Sequence, residues 1–412
     1  MLNYCGDHPR GSFFLKTYQD MQNFELKTKP KPVSIATPPK KKGKNWFTRL
    51  NAWLHLWPSI VSGLIVVFVC LTGTIIVYCD EILELSAGNA KYVEEEGQKA
   101  TALQLIESVT ETNPNLEISQ LVFFNDPERS VRARAFNKES KKLNLIYINP
   151  YTAEVIKVDY SIHFFFVTAH LHSNLLAHSL GGWIVLISTV IFLISCITGL
   201  ILWWPKRWTK KTRQDSFTIK WKAKFKRLNY DLHNVYGFYS LLLCFILSAT
   251  GIIIFFHASL GTAIIRSFGG SDEHLEAALP AVDESGTSLD LAQFAYRALE
   301  KNPDKKNASI WLYNLDKAGA YTFQMGVSGL KSTENLGLEV FDKYNGQHIE
   351  VERPFVLHEK VENYVWQLHM GQWWGQFGKL STFLAGIIAT SLPITGFLIW
   401  WGRRKKKRRA LR

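Results

Sequence analysis

The sequence predicts an α-helical membrane protein: a bundle of four transmembrane helices with two small α+β domains outside the membrane, internally duplicated. Three observations support this fold class, namely four long apolar segments, a segregation of charge, and residue spacings that occur twice. The chain has 412 residues, of which 47% are hydrophobic, 20% charged and 13% aromatic. The aromatic content excludes a disordered chain, and the charged fraction excludes a protein that lies entirely within the membrane.

Four segments are long enough to cross a bilayer, for which a helix needs about 20 apolar residues. They are Leu56–Tyr78, Trp183–Trp204, Tyr236–Phe256 and Leu380–Trp401. No short apolar region with a small-residue cleavage site precedes the first segment, so we expect it to be an uncleaved anchor. Tryptophan pairs such as Trp203-Trp204 and Trp400-Trp401 end two of the segments, which is typical of side chains at a membrane surface.

The segments between the spans differ in charge. Residues 205–230 contain 10 Lys or Arg and a single acidic residue, Asp215, and residues 402–412 contain 8 Lys or Arg and no acidic residue. Residues 80–160, by contrast, contain 9 basic and 14 acidic residues. The positive-inside rule therefore predicts cytoplasmic termini and a cytoplasmic middle loop. Nucleic-acid binding explains the net charge of +13 less well, because the positive charges adjoin the spans instead of forming a patch on a soluble domain.

Leu-His and Thr-Gly pairs recur at two spacings, each of which occurs once in either half of the chain. The spacing of 17 residues joins His55 to Thr72-Gly73 and His233 to Thr250-Gly251, and the spacing of 26 residues joins His172 to Thr198-Gly199 and His369 to Thr395-Gly396. Gly181 and Gly378 also correspond, because each lies nine residues after its histidine. This agreement predicts a duplicated span–domain–span unit.

The segments between the paired spans have the pattern of small α+β domains. Each begins with a helical pattern, continues with alternating strands and ends in a strand–turn–strand. The helical patterns are Ala102–Thr110 and Leu291–Leu299, and the strands include Val131–Ala135, Leu145–Asn149, Ala320–Gln324 and Gly337–Phe341. The predicted order is a disordered tail 1–45, a first span 46–79, an outer domain 80–160, a second span with an outer extension 161–204, a basic loop 205–230, a third span 231–257, an outer domain 258–360, a fourth span with an outer extension 361–401 and a basic tail 402–412.

Four of the 12 histidines occupy equivalent positions in the two halves, namely His55, His172, His233 and His369. The predicted topology places His55 and His233 at the cytoplasmic level and His172 and His369 at the outer level. Two imidazoles that face each other across a helical bundle are the ligands that b-type haem requires. Zinc is a weaker interpretation, because it needs three or four ligands at one level. The Thr-Gly pairs would then allow either close helix approach or access for a porphyrin edge.

The outer ligand of the second span has an alternative. A continuous helix from His172 to Trp203 would be about 46 Å long, which exceeds the hydrocarbon thickness of about 30 Å. Either the span projects beyond the bilayer, or His178, six residues closer to the membrane, replaces His172. His257, at the outer end of the third span, is a further candidate ligand.

The four Leu-His starts, the Thr-Gly pairs and the Trp-Trp ends together resemble the PepSY-associated transmembrane family, over about residues 46–404. The outer segments resemble PepSY domains, notably at Ile148–Val155 and Phe341–Ile349. The resemblance implies a bacterial inner-membrane protein that holds two b-type haems, with iron ligands His55, His233, His172 and His369. It also implies a ferrisiderophore reductase, which reduces Fe(III) to Fe(II) on the outer side of the membrane.

The sequence indicates no electron donor of its own, because no Gly-x-Gly-x-x-Gly motif follows a strand. Quinol or a separate reductase is therefore the expected donor, and a ferric siderophore the expected acceptor. No catalytic residue is identified. An alternative is a membrane-anchored PepSY module that binds or regulates another protein without redox activity. A transporter built from repeats is weaker, because four parallel-repeat spans leave little room for a substrate cavity.

Overall fold

The computed structural model describes residues 45–269, 279–313, 315–326 and 336–410. The tail predicted to be disordered lies outside the described residues except for Asn45, as do the last two residues of the basic tail. The chain divides into the units Met1–Thr48 and Arg49–Arg412. All elements discussed below belong to the second unit, apart from the first residues of the first helix.

The described elements alternate between long helices and a set of strands. The α-helices are α1 (Trp46–Ile76), α2 (Cys79–Ala87), α3 (Ala102–Thr112), α4 (Ile162–Asn174), α5 (His178–Trp203), α6 (Lys210–Phe217), α7 (Phe225–Asp231), α8 (Gly237–Phe255), α9 (Thr262–Ser267), α10 (Leu291–Lys301), α11 (Arg353–Met370) and α12 (Gly375–Ala410). The strands are β1 (Leu116–Phe124), β2 (Val131–Asn137), β3 (Leu143–Ile148), β4 (Val155–Asp159), β5 (Asn307–Trp311), β6 (Ala320–Gly326), β7 (Gly337–Asp342) and β8 (His348–Ile349).

Four helical stretches in the described part of the chain are long and apolar enough to cross a membrane. They are Trp46–Ile76, His178–Trp203, Phe225–Phe255 and Gln372–Arg404. Each stretch contains one of the four predicted spans, except that three of the predicted spans extend one or two residues beyond the end of the stretch. The prediction of a four-helix membrane protein is therefore confirmed. A π-helical turn, Leu232–Tyr236, joins α7 to α8 within the third stretch.

The polarity of these helices is the reverse of that in a soluble bundle. The buried residues of α1 include Asn51, Ser62 and Thr72, whereas Val61 is 80% exposed and Leu64 is 67% exposed. Small and polar side chains therefore face neighbouring helices, and large apolar side chains face outward. This arrangement is what a lipid environment favours, because lipid tails satisfy apolar side chains but no polar group.

All eight described strands form one antiparallel sheet, in the order β4-β3-β2-β1-β5-β6-β7-β8. The sequence predicts two small α+β domains, and in the structure their strands join in one sheet where β1 pairs with β5, from Gln120 opposite Trp311 to Phe124 opposite Asn307. Helices α3 and α10 cover one face of this sheet, and their apolar side chains share a core with strands of both segments. The joining has a physical reason, because β1 and β5 would otherwise each expose an unpaired strand edge.

The opposite face of the sheet rests on the helical bundle. Leu145 and Tyr147 of β3 pack against Leu83 of α2 and Phe165 of α4 in a second apolar cluster. Glu84 of α2 also pairs with Arg129 and Arg132, at 3.2 and 3.3 Å. Since α2 follows α1 closely, we call this end of the bundle sheet-proximal and the opposite end sheet-distal.

Within the predicted segments 161–204 and 361–401, the second and fourth spans are not continuous with their outer extensions. Helix α4 ends at Asn174 and α5 begins at His178, while Leu175 and Leu176 adopt positive φ values of 53° and 58°. In the fourth span, Gly371 and Gly375 take φ values of 74° and 54° between α11 and α12. The break in the second span reduces the length conflict, because α5 alone has 26 residues and is about 39 Å long, instead of about 46 Å.

The two corresponding glycines make these breaks sterically feasible. A Cβ atom on Gly181 would lie 1.7 Å from the carbonyl oxygen of Asn174, and one on Gly378 would lie 2.4 Å from that of Gly371. Each glycine therefore lets the end of the histidine-bearing helix contact the following span directly. Any larger residue would have to push the two helices apart.

Candidate functional site: two facing pairs of histidines

The four duplicated histidines meet as two pairs. The ring centroids of His55 and His233, the sheet-distal pair, are 6.3 Å apart, with an angle of 73° between the ring planes. Those of His172 and His369, the sheet-proximal pair, are 6.0 Å apart at 56°. Each pair takes one imidazole from each half of the chain, which is the pairing that the sequence predicts.

These separations fit two imidazoles that bind one metal ion from opposite sides. A ring nitrogen lies about 1.1 Å from the ring centroid and a metal–imidazole bond is about 2.0 Å long, so the two centroids should be about 6 Å apart. Both pairs have this spacing. Beside the sheet-proximal pair lies a cavity of about 460 Å³, which includes His172, His369 and Gly73 in its lining. Its volume lies in the range of small-molecule and cofactor sites.

Each histidine uses its Nδ1 atom to contact another helix. His172 Nδ1 donates to the carbonyl oxygen of Val69 at 2.8 Å. The other contacts join Nδ1 to a threonine Oγ1: His55 to Thr198 at 3.1 Å, His233 to Thr395 at 2.9 Å, His369 to Thr250 at 3.0 Å and, at a longer 3.5 Å, His172 to Thr72. These are the threonines of the four Thr-Gly pairs.

The hydrogen bonds of the threonines determine the histidine tautomers. Each threonine hydroxyl has one proton and donates it to a carbonyl of its own helix, in Thr198 to Ile194 at 2.8 Å and in Thr250 to Ile246 at 2.7 Å. Thr395 and Thr72 do the same with Ser391 and Phe68. The threonine oxygen must therefore accept, and His Nδ1 must carry the proton. This leaves the Nε2 lone pair for a ligand, and a hydrogen bond at the far nitrogen is how metal-binding histidines are oriented.

The glycine of each Thr-Gly pair makes room for the imidazole. A Cβ atom on the glycine would lie close to the histidine Cε1: 2.7 Å for Gly73 and His172, 3.1 Å for Gly199 and His55, 3.2 Å for Gly251 and His369, and 3.2 Å for Gly396 and His233. The sequence leaves open whether these glycines allow helix approach or porphyrin access. In the structure these glycines lie against the histidine rings. We call each Thr-Gly pair a seat for one imidazole, because its threonine binds Nδ1 and its glycine leaves space for the ring.

The remaining candidate histidines lie outside the pairs. His178 is exposed, begins α5 and has a positive φ of 50°, so it is a residue of the turn. His170 lines the cavity, and its Nδ1 donates to the carbonyl of Phe166 in its own helix at 2.9 Å. His257 contacts the carboxylate of Glu362. The structure thus brings together the four duplicated histidines and does not bring His178 or His257 to them.

Two buried residues of the site, Asn51 and Asn229, are not among the predicted site residues. Each lies four residues before a sheet-distal histidine, and each donates to the threonine that seats that histidine. A signal was present, because Arg-Leu-Asn-x-x-Leu-His occurs at Arg49–His55 and again at Arg227–His233.

An ion pair links the two halves near the sheet-proximal pair. Lys379 Nζ lies 2.7 Å from Glu81 Oε1, and Gln376 Nε2 donates to the same oxygen at 2.8 Å. Burial of the Glu81 carboxyl by itself raises its pKa, but the hydrogen bonds from Lys379 and Gln376 outweigh burial, so the pKa lies below its usual value. Glu81 is therefore ionised at neutral pH.

The composition of each pair restricts the metal that it suits. Within the described ranges, no group of three or more His, Cys, Asp or Glu side chains is arranged to hold a metal ion. Each pair places two imidazoles opposite each other. Such a set suits a metal whose other positions are filled by a macrocycle, since zinc takes three or four protein ligands.

A family profile for the PepSY-associated TM region matches residues 52–403. The chain belongs to this family. The match includes all four histidines of this PepSY-associated TM protein, all four Thr-Gly seats and the whole described sheet. A comparison with curated proteins finds no match.

Proposed function

We propose that this protein is a haem-containing oxidoreductase of the bacterial inner membrane, which passes electrons across the membrane to a ferric-siderophore-type acceptor and reduces Fe(III) to Fe(II). In this proposal His55, His233, His172 and His369 ligate two b-type haems. Both termini are cytoplasmic, and the sheet lies on the outer side. The two halves arose by duplication of one span–domain–span unit.

The observation that carries the proposal is the meeting of imidazoles from the two halves at two levels of the bundle. The centroid separations of 6.3 and 6.0 Å suit a shared metal, and the Nδ1 hydrogen bonds leave Nε2 free in every ring. Haem b bound in this way supplies one-electron redox chemistry. The protein's own contribution is to hold each ring in one tautomer and one orientation, and to surround the sheet-proximal pair with apolar side chains such as Val69, Leu186 and Phe192.

Two levels of ligands suit transfer between the two sides of a membrane. The sheet-proximal pair lies beneath the sheet, where an outer acceptor would approach. The sheet-distal pair is close to the basic loop, since His233 follows α7 directly. Quinol or a separate reductase is the proposed donor. Reduction of the acceptor loosens iron from hard oxygen ligands, because Fe(II) binds such ligands more weakly than Fe(III) does.

The test is a reduced-minus-oxidised visible spectrum of the purified full-length protein, together with iron measured per chain. We expect b-type haem bands and two irons per chain. Substituting His55 and His233 by Leu should remove one iron, and substituting His172 and His369 by Leu should remove the other. A folded, fully loaded preparation without haem bands would contradict the proposal.

The same variants separate the proposal from the alternative of a PepSY module that only binds another protein. If the spans served as an anchor, His55→Leu with His233→Leu would leave the function of the outer sheet intact. If the protein transfers electrons, these variants should abolish reduction of an outer ferric chelate by membrane vesicles supplied with a donor. His163→Gln is the matched control, because His163 lies outside both pairs and outside the cavity lining, and its Nε2 contacts Asn144 Oδ1 at 3.2 Å.

A further inference from the structure

The sheet-distal histidines are each accompanied by a buried asparagine one helical turn earlier. Asn51 is 5% exposed and Asn229 is 6% exposed. Asn51 Nδ2 donates to the backbone carbonyl of Thr198 at 3.2 Å, and Asn229 Nδ2 donates to that of Thr395 at 3.1 Å. The same threonines accept the Nδ1 protons of the sheet-distal histidines through their side chains.

Asparagine and histidine thus form a two-point contact with a single residue of the neighbouring helix. Residues four apart lie on the same helix face, so Asn51 and His55 can both reach Thr198. Asn51 bonds to the backbone carbonyl of Thr198, and His55 bonds to its hydroxyl. A slide or rotation of either helix would break both bonds, and in an apolar bundle a buried amide without a partner is costly. The contact therefore fixes the register of α1 against α5, and its counterpart fixes that of α7 against α12.

The sheet-proximal histidines have no such partner. The residues four positions before His172 and His369 are Thr168 and Val365. The Thr168 hydroxyl bonds to the carbonyl of Phe164 within its own helix at 2.7 Å, and a valine side chain has no donor. Among the residues that the structure describes, those one helical turn before the sheet-proximal histidines therefore make no second contact of this kind.

We propose that Asn51 and Asn229 are positioning residues for the sheet-distal ligand pair, and that they set the orientation of its two imidazoles. The inference rests on the proposed function, because it concerns haem ligation at that pair. Loss of the amide donor frees the two helices to shift against each other, and hence the imidazole to rotate from the angle of 73° that the two rings now make. Changes of this kind in the partners of a ligand alter cofactor affinity and reduction potential.

The experiment uses the full chain in which His172 and His369 are replaced by Leu, so that only the sheet-distal haem is present. Asn51→Leu and Asn229→Leu remove the donor at similar size, and Asn51→Asp replaces the amide by a carboxyl, which keeps a polar side chain and donates only when it is protonated. Ser62→Ala and Ser240→Ala are matched controls, because each serine lies seven residues after its histidine, is buried, and bonds to a carbonyl of its own helix.

Three quantities are measured: haem release to a competing apo-protein, the reduction potential, and the electron paramagnetic resonance spectrum of the oxidised haem, which depends on the angle between the ligand planes. We expect each Asn variant to release haem about tenfold more readily, which is at the lower end of the effect of losing a group that orients a metal ligand. The potential and the spectrum should also shift. The serine variants should match the parent in all three measurements.

The inference is overturned if the Asn variants match the serine variants. It is also overturned if Asn51→Leu and Asn51→Asp fail to fold while the serine variants fold, because the role of Asn51 would then be purely structural. A parent chain that folds without binding haem would instead contradict the proposed function. The two failures are thus distinguishable.

Discussion

The two halves of the bundle reach the same ligand geometry with different backbone devices. In the second half, glycines occupy the left-handed positions after the histidine, with φ values of 74° at Gly371 and 54° at Gly375. In the first half, Leu175, Leu176 and His178 take such values although each carries a side chain. His178 and Gly375 correspond exactly in position, six residues after their histidines. The position of the imidazole is therefore maintained, while the residues that turn the chain vary.

A second difference lies just after the sheet-distal histidines. In the first half, Pro58 lies three residues after His55 within a continuous helix. In the second half, the π-helical turn Leu232–Tyr236 contains His233. Both devices disturb the regular hydrogen-bond ladder, since proline has no N–H group and a π turn adds a residue. The comparison indicates that local departures from α-helix are tolerated where the surrounding contacts hold the ring.

The largest expected effect comes from filling the contact at which the broken helix meets the next span. Gly181→Val would bring a side chain to 1.7 Å from the Asn174 carbonyl, and Gly378→Val to 2.4 Å from that of Gly371. We expect Gly181→Val to prevent folding and Gly378→Val to destabilise the protein less. Yield of monodisperse protein and thermal unfolding in detergent measure both. Equal and mild effects would mean that the breaks do not depend on these glycines.

A smaller effect is expected at the imidazole seats. Gly73→Ala would place Cβ 2.7 Å from His172 Cε1, whereas Gly251→Ala would place it 3.2 Å from His369 Cε1. We expect Gly73→Ala to cost about 1–3 kcal/mol of stability, as overpacking does, and Gly251→Ala to cost less. Thermal unfolding of the apo-protein gives the order, with Gly402→Ala, which meets no neighbour, as control. If Gly251→Ala destabilised the protein more than Gly73→Ala, this would contradict the conclusion that these glycines make room for the imidazoles.

The halves also differ ten residues before the sheet-proximal histidines, where Ile162 corresponds to Glu359. Burial, and then repulsion by Glu362, raise the pKa of Glu359 from 4.5 to about 7. Because the folded state favours the protonated carboxyl, its contribution to stability is full below pH 4.5 and is lost as pH rises through about 7.

The thermal midpoint should therefore fall between pH 5 and pH 8 in the wild type, and fall less in Glu359→Gln. His257 contacts the carboxylate of Glu362, which faces Glu359, so Glu359→Gln with His257→Gln is measured alongside. Parallel pH profiles for the wild type and Glu359→Gln would exclude this role of Glu359.

The smallest effect concerns His178 itself. A left-handed residue with a side chain costs about 1–2 kcal/mol, and glycine costs about 0.5–1 kcal/mol in unfolded-state entropy. His178→Gly should therefore stabilise the fold by about 0.5 kcal/mol and leave haem content unchanged, while Gly375→His should destabilise it. Loss of haem in His178→Gly would restore His178 as a ligand candidate.

The sequence predicts the parts of the molecule that leave a periodic or repeated signal. The four spans follow from apolar length, and the helices and strands of the outer segments follow from their patterns, as in Val131–Ala135 within β2 and Leu291–Leu299 within α10. The pairing of the four histidines follows from two repeated spacings. That they ligate haem stays a prediction.

The remaining features depend on contacts that leave little local signal. The break after Asn174 lies in the segment Leu175-Leu176-Ala177, which contains neither glycine nor proline. The pairing of β1 with β5 joins strands almost 200 residues apart, such as Gln120 and Trp311, and edge pairing has no sequence signature. The role of the Thr-Gly pairs could not be predicted from the sequence, because it depends on which helix supplies the imidazole that contacts each pair.

The strand pairing across the centre of the sheet has a consequence for how the chain can be divided. A fragment that ends in the basic loop would contain one histidine of each pair and would expose β1 as an unpaired edge strand. Neither pair could form within it, yet a matching fragment would supply the missing partners and cover that strand. Two separately synthesised pieces should therefore rebuild the whole arrangement.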